Sequence, residues 1–123
     1  LKNKDGGSII NIASILAERV GLNLTSYASA KAALVQLTKS MALELARSNI
    51  RVNALAPGYI LTEINQDFFA TEEGQGYISK IPMKRLGLES ELDGALLLLA
   101  SDASSFMTGS VITVDGGHVI NPL

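Results

Sequence analysis

Two nearly unbroken apolar runs, SIINIAS at 8–14 and IRVNALAPG at 50–58, stand out along the chain. Neither shows the polar alternation of a one-sided sheet, so both read as strands buried on both faces. The first follows the turn signal Asp5-Gly6-Gly7, and the second runs into Pro57-Gly58, which stops ladder and helix alike. SVITVDGG at 110–117 makes a third strand ending in a turn. Between the first two runs, Leu34, Leu37, Met41 and Leu45 recur at helical spacing. They predict a helix capped by Thr25 or Ser26 that ends near Arg47-Ser48-Asn49, where Arg47 suits the negative end of the helix dipole. ESELDGALLLLASD at 89–102 has a strong apolar face and Ser90 as its cap. Residues 59–88 carry phenylalanines, Gly74, Gly76, Pro82 and Gly87 with weak periodicity. They predict short helices in a mobile excursion suited to a lid. Strands joined by helices demand right-handed crossovers, so the fold class is α/β with a parallel sheet of three strands.

Composition narrows the partners. With 123 residues, 47% of them hydrophobic, the chain can form one domain with a real core. A formal charge of −2 provides no basic surface for nucleic acid and leaves a small neutral or anionic molecule as the expected partner. The absence of cysteine excludes disulfides and thiolate metal sites. The longest apolar stretch, ALLLLA at 95–100, is too short to span a bilayer, and no signal peptide opens the chain, so no membrane partner and a cytoplasmic location are expected. The opening LKNKDGG leads at once toward a strand, as expected of the carboxyl-terminal part of something longer.

The chemistry lies in TSYASAKAALVQLTKSMALE, residues 25–44. Tyr27 and Lys31, four apart on a helix, share one face. An ammonium beside a phenol favours the phenolate, which makes Tyr27 a candidate acid/base. Ser14 ends the first strand, and open α/β sheets bind ligands at the carboxyl ends of their strands.

A strand-end serine, a Y-x-x-x-K helix, RVNALAPGYILT and MTGSVITVDGG, in that order, resemble the short-chain dehydrogenase/reductase family over nearly the whole chain. The resemblance implies the carboxyl-terminal half of a Rossmann-like, doubly wound sheet. It also implies hydride transfer between NAD or NADP and a small carbonyl or secondary alcohol. Ser14 is then similar to the serine that bonds the substrate oxygen, Tyr27 to the general acid/base, and Lys31 to the lysine that tunes it and holds the nicotinamide ribose. Pro57 and Gly58 match the turn beside the nicotinamide, Ile60 the residue whose backbone meets the carboxamide, and Thr62 the hydroxyl near the pyrophosphate. The family's glycine-rich pyrophosphate turn and its Asn-Asn-Ala-Gly segment have no counterpart in this sequence. The 123 residues alone are therefore expected to be inactive, within a parent enzyme that is a homodimer or homotetramer. Two alternatives are a non-catalytic protein of the same fold that senses a nucleotide, which the intact Ser14, Tyr27 and Lys31 set argues against, and an interaction module that pairs the edge of strand 8–14 with another chain. VDGG and Y-x-x-x-K together are similar to the 3-oxoacyl-carrier-protein reductases and to sugar or gluconate dehydrogenases.

Other features have plainer readings. Asn53 is a structural amide at a strand end, and His118 a surface or interface residue without metal partners. Gly74-Gln75-Gly76 follows no strand and is not a dinucleotide turn. Asn23-Leu24-Thr25 is a glycosylation pattern in a chain with no secretory signal. Phe68, Phe69 and Tyr77 either line a pocket or pack the excursion. The long helix has small and apolar residues beside its leucine row, including Ala28, Ala32, Val35 and Ala42, more than one sheet face can cover, which predicts a subunit interface.

Overall fold

The computed structural model describes residues 5–122. In chain order, β1 is Gly7–Ile12, α1 Thr25–Leu45, β2 Ile50–Pro57, β3 Ile60–Leu61, α2 Gln66–Phe69, α3 Glu72–Ser79, β4 Gly87–Leu88, α4 Asp93–Ala100 and β5 Val111–Val114, with 3-10 turns between several of them. The strands β1, β2 and β5 form a parallel sheet in the order β1-β2-β5, and β3 pairs with β4 in a separate parallel ladder. The α/β architecture expected from the alternating pattern is the one observed.

The centre of the sheet is the best covered. In β2, Val52 and Ala54 are fully buried, and Ala42 of α1 packs on Val52 and Ile50. The first run differs from its expectation. β1 stops at Ile12 and is only half-buried, with Ile12 50% exposed. Among the described residues β1 pairs with β2 alone, whereas the central strand is flanked on both sides. β5 is likewise shorter than its apolar run.

Both helix-cap expectations are corrected. Thr25 and Ser26 lie inside the first turn of α1, and the cap position is Leu24, whose side chain makes no capping bond. A turn in which Leu24 N–H donates to the Gly21 carbonyl (3.3 Å) carries the Leu24 carbonyl to Ala28 N–H (2.8 Å), so the helix winds earlier than the hydroxyls suggest. Ser90 caps nothing either, because a 3-10 turn already starts at Glu89 and the Glu91 carboxylate accepts the Leu88 N–H at 3.0 Å. Helix α1 does end as expected. It tightens through Ala46–Ser48 and is closed by Asn49 in the left-handed region, φ 57°, which asparagine tolerates.

Buried polar side chains fix the register of the layers. Thr38, fully buried in α1, donates to the Leu34 carbonyl (2.8 Å) and accepts from Asn11 Nδ2 of β1 (2.9 Å). Asn53 bonds the Met107 carbonyl (2.9 Å) and the Ser110 N–H (3.0 Å), and the Arg51 guanidinium reaches Ser104 Oγ and the carbonyls of Leu99 and Ser101. Buried groups such as Thr38 and Asn53 need these partners, and the Asn53 amide is structural, as expected. The segment 59–88 contains short helices, as expected, and also β3 and β4, which its weak periodicity did not reveal.

Candidate active site

Because β1, β2 and β5 are parallel, their carboxyl ends fall at one edge of the sheet, with Ile12 opposite Leu55 and Pro57 opposite Val114. The segments that leave this edge begin with Ala13-Ser14, Gly58-Tyr59 and Asp115. Ser14 is buried, and its Oγ accepts the Leu16 N–H at 3.1 Å, which starts a 3-10 turn over Ile15–Ala17 packed against α1. A hydroxyl that already accepts still has its proton to donate.

Tyr27 lies in the first turn of α1 and is 48% exposed. The Lys31 ammonium sits 5.6 Å from its ring centroid and donates to the Ile12 carbonyl at 3.0 Å. The last carbonyl of β1 thus pins the ammonium between the strand end and the phenol, a tether that no spacing along the chain announces. A cation over a ring at a partly exposed site contributes on the order of 0.5–1 kcal/mol. Among the described residues the Tyr27 hydroxyl makes no hydrogen bond, and none joins it to Ser14.

On the other side of the edge, Gly58 N–H donates to the Val114 carbonyl at 3.0 Å. A Cβ at Gly58 would lie 2.7 Å from Asp115 Cβ and 2.9 Å from Asp115 Cα, so the turn can approach β5 only without a side chain. Pro57 is the last residue of β2, and Ile60 pairs with Gly87. Asn65, which the sequence reading passed over, clamps the next stretch. Its Nδ2 donates to the Ile60 carbonyl and its Oδ1 accepts the Thr62 N–H, both at 2.8 Å. Ser14, Tyr27 and Lys31 therefore share the sheet edge with Pro57 and Gly58, while Ile60 and Thr62 lie on a clamped loop beyond it.

Beside this edge is a pocket of about 310 Å³ whose walls include Arg19, Tyr59, Tyr77, Lys80 and His118. His118 is half-buried, with its ring 5.1 Å from that of Tyr59. Its Nδ1 is buried without a hydrogen-bond partner. Burial pushes its titration below the ordinary imidazole value; Asp115 opposes this, and the charges of Arg19 and Lys80 add to it. The Asp115 carboxylate accepts the N–H groups of Gly117 (2.9 Å) and Val119 (2.8 Å) and so builds the turn that carries His118. Burial, with Tyr77 nearby, raises the Tyr59 phenol above its usual range. Tyr77 lines the pocket, whereas Phe69 is buried against Tyr59 at 5.7 Å. Gly74, inside α3, lets that helix approach α2, since a Cβ there would meet the Phe68 carbonyl oxygen at 2.2 Å; the Gly-Gln-Gly sequence is helical. Among the described residues no cluster of His, Asp and Glu could hold a metal ion, and no helix is long and apolar enough to cross a membrane.

Residues 1–119 match a family model described as enoyl-(acyl carrier protein) reductase. The 7alpha-hydroxysteroid dehydrogenase of Escherichia coli K12 is 41% identical over 119 residues, which are 97% of this chain and 47% of that protein. A short-chain type dehydrogenase/reductase from Mycobacterium marinum superimposes with a TM-score of 0.85 at 44% identity, covering 94% of this chain and 45% of the other. A gluconate 5-dehydrogenase from Burkholderia cenocepacia, solved with NADP and tartrate, gives a TM-score of 0.85 at 39% identity, covering 91% and 45%. The chain spans about half the length of the relatives it matches.

Proposed function

This chain belongs to the short-chain dehydrogenase/reductase family, and from that premise we propose that its whole protein transfers a hydride between NAD or NADP and a small carbonyl or secondary alcohol. One observation carries the reading: a solvent-accessible phenol, Tyr27, with a tethered ammonium, Lys31, against it at the carboxyl edge of a parallel sheet. The donor set suits the nicotinamide end of the cofactor. Lys31 offers N–H donors to the ribose hydroxyls, the turn at Pro57 and Gly58 offers an approach without a side chain, and Ile60 and Thr62 offer backbone and hydroxyl groups beyond it. NADP in the Burkholderia relative supports a cofactor of this class.

When bound, the nicotinamide supplies or takes up the hydride. In reduction the Ser14 hydroxyl donates to the substrate oxygen and stabilises the charge that builds there, and Tyr27 delivers the proton to the same oxygen. In oxidation Tyr27 accepts that proton. The bond of the Lys31 ammonium to the Ile12 carbonyl holds the cation beside the Tyr27 ring. The test is Tyr27→Phe in the intact protein, which should lower kcat by at least ~10²-fold while leaving the circular dichroism spectrum unchanged. Turnover close to wild type would remove Tyr27 from the mechanism.

A further inference from the structure

We propose that the pocket beside the sheet edge selects a substrate bearing a carboxylate, held by Arg19 and Lys80 with His118 as a further hydrogen-bond donor in the same wall. The proposal rests on the dehydrogenase reading for the chemistry at Tyr27 and adds the class of molecule that is brought there. Among the described residues the charged side chains in the pocket wall are two cations, Arg19 and Lys80, with no carboxylate beside them. Among the described residues neither cation forms an ion pair. The ion pair found among the described residues is Arg85–Glu91, elsewhere in the fold. The acid facing His118, Asp115, has both oxygens committed to backbone N–H groups.

Arg19 is also held in place. Its Nη1 donates to the Val119 carbonyl at 2.6 Å, and its remaining nitrogens make no hydrogen bond among the described residues. A planar guanidinium anchored at one nitrogen keeps the fork that matches a carboxylate. Lys80 lies 5.8 Å from the Tyr77 ring centroid, which turns its flexible stem toward the same wall. His118 adds a polar group to the same wall. With Nδ1 buried and unpartnered, Nε2 is the nitrogen left accessible, and leaving Nδ1 without its proton avoids burying an unsatisfied N–H. The ring then presents Nε2–H to whatever enters. Ile15, next to Ser14, and Tyr59, next to Gly58, line the same pocket, so an anion held there would have its far end toward the proposed reaction site. A volume of about 310 Å³ suits a small organic acid.

The experiment uses the intact protein with NADP present and follows the His118 ring protons by NMR, assigned with His118→Gln. Three carboxylates are titrated against alcohols of matched skeleton: D-gluconate against D-sorbitol, tartrate against threitol, and lactate against propane-1,2-diol. At least one acid should shift the His118 signal saturably at concentrations where its alcohol does not. Arg19→Gln and Lys80→Gln should each weaken that binding about tenfold, the scale of one charge-assisted hydrogen bond at a partly exposed site, and Arg19→Lys should retain part of it. The proposal is overturned if no acid shifts the signal, if acid and alcohol bind alike, or if binding ignores both variants in samples whose circular dichroism shows a native fold. The readout needs no turnover. Selective acid binding in a protein that shows no Tyr27-dependent oxidoreduction would support the pocket assignment and count against the dehydrogenase reading alone. Tyr27-dependent turnover of neutral carbonyls without acid selectivity would do the reverse.

Discussion

Gly58→Ala should destabilise the intact protein, because the new methyl has nowhere to go. The built Cβ lies 2.7 Å from Asp115 Cβ and 2.9 Å from Asp115 Cα, where ordinary contact begins near 3.4 Å, so about 0.7 Å of separation has to be found. Neither atom belongs to a flexible tip. Asp115 follows β5, which is paired to β2 through Pro57 and Val114, and the Gly58 N–H bond to the Val114 carbonyl draws the same two segments together. The strain therefore passes into the backbone or into the Asp115 bonds that build the His118 turn. Overpacking of this kind costs about 1–3 kcal/mol. In urea unfolding, with a slope near 2 kcal/mol per molar, the midpoint should fall by about 0.5–1.5 M. Gly76→Ala is the control, since a Cβ there meets nothing within 4 Å inside α3. It should be neutral or stabilising by up to about 1 kcal/mol. If the Gly58 variant unfolded within about 0.5 kcal/mol of wild type, the close approach to Asp115 would not be what requires glycine there.

Lys31→Ala removes both the bond to the Ile12 carbonyl and the cation beside Tyr27, so it should slow turnover and weaken cofactor binding, each by about tenfold or more; steady-state kinetics with the cofactor varied would expose a lysine that matters to neither. The Arg85 guanidinium, at 2.6 and 2.9 Å, together with the Leu88 N–H, holds the Glu91 carboxyl at about 2 rather than 4.5. Its folded value is depressed, so its contribution is present above about pH 4.5 and is lost as the pH falls toward 2. That contribution is small, because the pair is exposed to solvent. Thermal melts of Glu91→Gln should lack this part of the acid loss, and parallel pH profiles for the two proteins would contradict it. Helix α1 leaves Leu37 50% and Leu43 82% exposed, which supports a subunit contact. Light scattering at micromolar concentration should therefore find a dimer or tetramer, and monomer alone would reject that reading.

What the sequence determined by itself was local and periodic. Apolar runs bounded by Gly and Pro identified the strands around Ile9, Val52 and Ile112, the row from Leu34 to Leu45 identified α1, and together they required a parallel α/β sheet. Tyr27 and Lys31 were legible as a pair because 3.6 residues per turn places i and i+4 together whatever the rest of the chain does. Cap choice was less legible. Thr25, Ser26 and Ser90 are good capping residues, yet backbone turns upstream wound both segments before the hydroxyls could act. Only the tertiary structure decided that Ile12 at the end of β1 stays half-exposed, that its carbonyl tethers Lys31, and that Asn65 clamps the stretch from Ile60 to Thr62. It alone brought Arg19, Lys80 and His118 to one pocket from three distant parts of the chain. Side-chain periodicity reports which face of an element is buried, whereas a site between elements depends on where parallel strands end and what their loops meet there, and no repeat along the sequence encodes that meeting.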